Sequence, residues 1–254
     1  MRKINESLKV IGVIPARYGS SRFEGKVLAD ILGKPMIQWV WQRASQCKLL
    51  EKLIIACDDE RIREVAESFG AEVVMTAKAH ASGTDRIAEV VNPLDVKVVV
   101  NIQADEPLIH PTMIDTVAGA ILNNPDVVCA TVMKRITEPD QINDPNVVKV
   151  IVDINGFALY FSRLAIPALA YNSEEKNLFY FKHIGLYAYT KDFLFTYKNM
   201  KPSYLERVEK LEQLRILENG YRIKVIETKY DTIGVDKPED IEKVIKYLKQ
   251  NQQP

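Results

Sequence analysis

Short runs of wholly apolar residues recur along the first half of the chain, each followed by a helix-period pattern, and this alternation constrains the fold more than any other feature. Residues 10–14, 53–57, 71–75, 96–102 and 127–133 are such runs. A strand that is apolar throughout has no side to offer to water, so it must be covered on both faces. The intervening segments supply the cover. Pro35 is placed to open a helix whose apolar face is Met36, Trp39, Val40, Ala44 and Cys47. Ile62, Val65, Ala66 and Phe69 share a second helix face, stopped by Gly70, and further helices are expected over 84–91 and 111–122. Apolar strands separated by helices predict an α/β fold built on a mostly parallel sheet.

The second half changes rhythm. Runs at 147–154 and 157–162 flank Asn155-Gly156, a strong hairpin signal, and 183–189 reads as another strand. This predicts an antiparallel insertion over about 135–200 within a single domain spanning 1–254. Its apolar and aromatic content marks it as the contact of a homodimer. A long helix is expected next, with Leu205, Val208, Leu211, Leu214 and Leu217 on one face and Gly220 as its stop. A strand at 223–227 and a last helix from about Pro238 complete the reading.

Composition removes several function classes. Lys+Arg and Asp+Glu are equal at 34 each, so there is no basic footprint for nucleic acid. No apolar run approaches membrane-spanning length and the first residues lack a signal-peptide core, so a cytoplasmic protein with no membrane partner is expected. Three cysteines (Cys47, Cys57, Cys129), odd in number and far apart, point to a reducing compartment. With no Cys-x-x-Cys pair and only three histidines, a zinc site is not expected.

Three stretches can carry chemistry. The first apolar run leads into Pro15-Ala-Arg-Tyr-Gly-Ser-Ser-Arg-Phe-Glu-Gly-Lys26, a loop of small residues with Arg17, Arg22 and Lys26 as fixed positive charge. Small residues let backbone amides approach one anion, and the local cationic focus in a chain of zero formal charge suits a polyphosphate. A solvated Gly/Ser loop is the alternative. A dinucleotide fingerprint and a P-loop are both absent, since Gly25-Lys26 is followed by Val27. The second stretch, Val98 to Pro107, is an apolar strand delivering Asp105 at its carboxyl end, where open α/β sheets place ligands. A simple strand-ending turn also accounts for Asp and Pro there. The third is Thr232-Ile-Gly-Val-Asp-Lys-Pro-Glu-Asp240, where Asp236 and Glu239 fit a capping box with Pro238 in the first turn. Two carboxylates such as Asp105 and Asp236 facing a triphosphate would suit Mg²⁺, a hard ion that takes oxygen ligands from one or two acids plus phosphates.

Together with His80-x-Ser-Gly-Thr-Asp-Arg86, Asn146-Val-Val-Lys-Val, Ala158-Leu-Tyr-Phe-Ser-Arg163, Lys182-His-Ile-Gly-Leu-Tyr187 and Leu211-Glu-Gln-Leu-Arg215, these stretches resemble sugar nucleotidyltransferases of the cytidylyl type. Within them the pattern is similar to the enzymes that activate 3-deoxy-D-manno-octulosonate (Kdo), in order and over nearly the whole chain. Glu24 and Ala104 depart from the family pattern, which usually has Pro and Gly there. The resemblance implies a Rossmann-like nucleotidyltransferase sheet, with the insertion as a dimerisation lobe. The reaction it implies is CTP plus Kdo giving CMP-Kdo and pyrophosphate for lipopolysaccharide assembly.

It also implies roles for particular residues. Arg17 and Lys26 would hold the phosphates, Ala16, Ser20 and Ser21 would bind the nucleotide with them, and Arg22 would lie near the triphosphate or the sugar acid. Asp105 and Asp236 would hold Mg²⁺, and with Arg17 and Lys26 they form the implied catalytic set. Ser82, Gly83 and Thr84 would meet the cytosine, or cap a helix, or do both. Arg163 would read the sugar carboxylate, since a guanidinium matches that group bidentately. His183, Tyr187, Gln103, Glu212 and Gln213 would contact the sugar. Ordinary strand packing for His183 and Tyr187, and a solvated helix face for Glu212 and Gln213, are the structural alternatives. The rival functions are a CMP-activating synthetase for another acidic sugar of the N-acylneuraminate type and a catalytically silent nucleotide-binding module.

Overall fold

The computed structural model describes residues 8–19, 23–80, 82–170 and 178–251. Strands β1 (Leu8–Ala16), β4 (Lys52–Cys57), β5 (Glu72–Met75), β6 (Val96–Asn101) and β7 (Cys129–Arg135) are the five apolar runs of the sequence, and β2 (Asp30–Ile31) and β3 (Lys34–Pro35) form a small separate ribbon. After these come β8 (Lys149–Val152), β9 (Ala158–Ser162), β10 (Phe181–Thr190) and β11 (Lys224–Glu227). The helices are α1 (Met36–Ala44), α2 (Glu60–Ser68), α3 (Gly83–Val91), α4 (Pro111–Leu122), α5 (Asp140–Asn143), α6 (Lys191–Asn199), α7 (Tyr204–Glu209), α8 (Leu214–Glu218) and α9 (Pro238–Asn251).

The main sheet runs in the order β11-β7-β10-β6-β1-β4-β5. β1 pairs in parallel with both β4 and β6, β4 with β5, and β7 with β11. Period-2 alternation divides each central strand between two cores. Val10 and Ile14 of β1 pack with α1, α2 and α4, whereas Ile11 and Val13 pack with α3 and α6. A third, smaller cluster joins Ile31, Met36 and Leu108 to Val235, Val244 and Leu248, which brings the α9 end of the chain back against the first loop. All three cysteines are unpaired. Among the described residues no helix is long and apolar enough to cross a membrane.

Two expectations from the second half are corrected. β10 belongs to the centre of the main sheet, antiparallel to β6 on one side and to β7 on the other, and is not part of an appended insertion. What stands off the sheet is the β8–β9 hairpin, attached where Lys149 pairs with Lys182 of β10. A strand sharing the apolar content of its neighbours gains more from a central place, where both edges are hydrogen-bonded, than from a rim. The long helix is also two helices. α7 ends at Glu209, Lys210 takes a left-handed φ of 55°, and α8 begins at Leu214. Val208 is 61% exposed, so the expected leucine stripe does not lie on one buried face.

Because β4 and β6 lie on opposite sides of β1, the strand order reverses at β1. The crevice beyond the carboxyl ends of β1 and β6 is therefore the place where an open α/β sheet receives ligands.

Candidate active site

The loop after β1 returns on itself. Gly25 N donates to Tyr18 O at 2.9 Å, and Gly25 sits at φ 66°, with the place of a Cβ only 3.1 Å from the Tyr18 ring. Only glycine fits that turn without strain. The turn delivers Lys26, whose Nζ is 2.5 Å from Asp105 Oδ2, 3.6 Å from Asp236 Oδ1 and 3.1 Å from the carbonyl of Val235. Val235 N in turn donates to Asp105 O at 2.9 Å. The three motif stretches, distant in sequence, thus meet at one ammonium group. Two acids converging on one cation position form a donor set that suits a divalent ion, although no group of three or more His, Cys, Asp or Glu side chains arranged for a metal occurs among the described residues.

A cleft of about 270 Å³ extends from this point, lined by Arg17, Lys26, Ser82, Gly83, Arg86, Asp105 and Asp236 among others. Arg17 is exposed at its mouth, and Ala16 is buried in β1 behind it. Ser82 is the N-cap of α3: its Oγ accepts from Asp85 N at 3.1 Å and donates to Asp85 Oδ2 at 2.9 Å. Gly83 opens that helix 3.3 Å (at the place of its Cβ) from the Pro15 ring, a close approach that holds the α3 N-terminus against the end of β1. Ser82 is thus a helix cap, and the same helix end lines the cleft. Thr84 is buried and lies on the neighbouring cavity.

Sequence reasoning missed the support beneath this cleft. Arg86 is 3% exposed, donating to Thr76 Oγ1 and, at 2.7 Å, to Asp58 Oδ2. Asp58 Oδ1 accepts from Tyr18 N at 3.3 Å. One buried ion pair thus ties α3, the end of β4 and the loop after β1. Arg86 stood in a quoted motif without a role, and no local signal marks Asp58. His80, also on the cleft, pairs with Glu89, and that hydrogen bond holds the Glu89 carboxyl below its usual range.

A larger cavity of about 910 Å³ adjoins the first, and the two share Gly83, Gln103, Glu212 and Asp236. His183 and Tyr187 of β10 line it, as the sequence suggested, with ring centroids 5.3 Å apart. His183 Nε2 is 3.0 Å from Thr131 Oγ1 and the ring packs edge-on to Phe161; burial pushes its pKa down to about 3, so the imidazole is neutral. Gln103 donates to Asn101 Oδ1 at 3.2 Å. Glu212 and Gln213 face the cavity from the break between α7 and α8, not from a solvated helix face. Glu212 is accessible, yet the surrounding walls strip water from its carboxyl and raise its pKa. Glu106, adjacent to Asp105, was not singled out from the sequence. It lies against Gly234, and burial, then the Asp105 charge, pushes its pKa up to about 8.

Two sequence assignments are corrected. Arg163 does not line either cavity: its guanidinium donates to the carbonyls of Glu209, Pro145 and Lys210. The cap before α9 is made by Asp240, whose Oδ2 accepts from the amides of Asp236 and Lys237 at 3.1 Å, so Glu239 is not the reciprocal partner. Ser20, Ser21 and Arg22 lie outside the described residues.

With this geometry in place, comparison with known proteins is informative. A family model described as cytidylyltransferase matches residues 11–226. The 3-deoxy-manno-octulosonate cytidylyltransferase of Geotalea uraniireducens is 48% identical over 250 residues, covering 95% of this chain and 100% of that protein. The enzyme of the same name from Solibacter usitatus is 52% identical, covering 95% of each. Among solved structures, a CMP:2-keto-3-deoxy-manno-octonic acid synthetase complexed with CTP superposes with a TM-score of 0.89 at 40% identity, over 96% of this chain and 99% of that one.

Proposed function

The chain belongs to the cytidylyltransferase family, and from that premise we propose that it transfers the cytidylyl group of CTP to the anomeric hydroxyl of Kdo, releasing pyrophosphate. The CMP-Kdo formed is the activated sugar for lipopolysaccharide assembly. The observation that carries this reading is the junction of the two cavities at Gln103, Glu212 and Asp236, directly beside Lys26 and Asp105. A sugar acid in the larger cavity and a nucleotide in the smaller one would meet there.

The chemistry asks for positioning and charge stabilisation, since the hydroxyl must attack the α-phosphorus in line while negative charge spreads over the phosphate oxygens. The cytosine end would meet the α3 N-terminus, where Ser82 caps the helix and the amides of Gly83 and Thr84 begin it. Arg17 and Lys26 neutralise phosphate charge, with Lys26 leaving its acid partners as the triphosphate arrives. Asp105 and Asp236 would hold Mg²⁺, which when bound neutralises the α-phosphate and lowers the pKa of the attacking hydroxyl. Neutral His183, with Tyr187, Gln103, Glu212 and Gln213, offers hydrogen bonds to sugar hydroxyls. We further propose a cytoplasmic homodimer.

The test is pyrophosphate release with CTP and a panel of sugar acids, in Mg²⁺ buffer. Turnover with Kdo is expected; turnover with N-acylneuraminate but not with Kdo overturns the assignment.

A further inference from the structure

Arg163 gathers three carbonyls from two different loops. Nε donates to Glu209 O at 2.7 Å, Nη1 to Pro145 O at 2.8 Å and Nη2 to Lys210 O at 3.4 Å. The same junction is closed from the other side, because Glu209 accepts from Arg163 N at 3.0 Å and from Ser162 Oγ at 2.9 Å. Lys149, fully buried, reinforces the first loop by donating to Asp144 O at 2.8 Å and Val147 O at 2.5 Å. Both loops are walls of the larger cavity, through Asp144 and Asn146 on one side and Lys210, Glu212 and Gln213 on the other.

Glu209 is the last residue of α7, and Lys210 is a non-glycine residue at φ 55°. A left-handed lysine is unfavourable alone, and the carbonyls at a helix end lack intrahelical partners. The apolar periodicity from Leu205 to Leu217 favours continuing the helix. The Arg163 guanidinium supplies what the break lacks: donors for the terminal carbonyls, and a positive charge at a helix C-terminus. The break then turns the next residues toward the cavity.

We infer that Arg163 is a positioning residue for the sugar-acid end of the site: by capping α7 it enforces the turn at Lys210 that aims Glu212 and Gln213 into the larger cavity. The inference rests on the reading that this cavity takes the sugar acid. It differs from a guanidinium that reads the sugar carboxylate itself.

The experiment compares wild type, Arg163→Ala, Arg163→Lys, Gln213→Ala and the Arg163→Ala/Gln213→Ala double variant, full length. In Arg163→Ala the sugar-acid KM is expected to rise roughly tenfold or more, as for a displaced binding group, with Arg163→Lys in between and the CTP KM little changed. Losses in the double variant should be non-additive, because both single changes remove the same contact. Substrate-free Arg163→Ala should exchange its backbone amides faster over 210–213. Unchanged exchange there, or additive losses, overturns the inference. It is also overturned if the Arg163→Ala loss disappears when the sugar carboxylate is replaced by a carboxamide, since that marks direct reading. Should Arg163→Ala fail to fold, exchange and sugar KM in Arg163→Lys decide. If wild type does not use Kdo, the proposed substrate fails, while exchange over 210–213 still judges the cap.

Discussion

Lys26 Nζ lies 2.5 Å from Asp105 Oδ2, a contact between residues 79 apart in sequence that closes the crevice at the reversal point of the sheet. In this state the lysine neutralises an acid that the proposed reaction needs for a cation. Triphosphate binding would exchange partners: phosphate for the lysine, a divalent ion for the acid.

Asp105→Asn tests that exchange. It removes a charged ligand while keeping shape, and turnover is expected to fall about 10²–10³-fold, comparable to losing one preorganised electrostatic group. Chelator should abolish wild-type pyrophosphate release and added Mg²⁺ restore it. Full Mg²⁺-dependent turnover in the variant would show that the acid is not a ligand.

The buried Arg86–Asp58 pair should matter first for stability. Arg86→Met leaves Asp58 without its charge partner beneath the cleft, and removing one member of a buried pair costs about 3–5 kcal/mol. Urea unfolding measures this, and the CTP KM should rise because Tyr18 N loses a fixed acceptor. A loss below about 1 kcal/mol, typical of exposed pairs, contradicts the role assigned to it.

Gly25→Ala separates loop geometry from charge. A Cβ at φ 66°, 3.1 Å from the Tyr18 ring, is strained by about 1–2 kcal/mol. The expected outcome is a raised CTP KM with the sugar-acid KM nearly unchanged, read by initial rates with each substrate varied.

His183 gives a pH dependence of stability. Burial holds its pKa at about 3 in the fold, well below the ordinary imidazole value of about 6.5. Above pH 6.5 both states are neutral and folding pays nothing for the burial. As pH falls from 6.5 toward 3 only the unfolded chain takes the proton, so stability declines by up to ~1.4 kcal/mol per pH unit. His183→Gln should flatten that slope in urea titrations between pH 6.5 and 5. An equal slope in both proteins would mean that the imidazole is not held neutral.

Much of the site was legible because its motifs sit at the ends of strands that the apolar runs already mark. Asp105 follows β6, Arg17 follows β1, and Ser82 caps α3, each at the place expected. The spacing of His183 and Tyr187 put both on one side of a strand, and both line the larger cavity. Arg163 was misread: a guanidinium at a strand end looks the same in sequence whether a ligand or three carbonyls wait for it. Glu212 and Gln213 were placed on a helix that the structure breaks.

Sequence alone determined the identity and approximate bounds of the five apolar strands and of the helices α1 to α4 between and beside them, since apolar periods of 2 and 3.6 are properties of neighbouring residues. It also determined which stretches carry charge suited to phosphate and metal. Only the tertiary structure decided that β10 is central, that α7 stops at Glu209, that Asp58 braces Arg86, and that Lys26 reaches both Asp105 and the Val235 carbonyl 209 residues away. Those outcomes depend on which distant group satisfies each buried donor, acceptor or edge, and no local pattern encodes that choice.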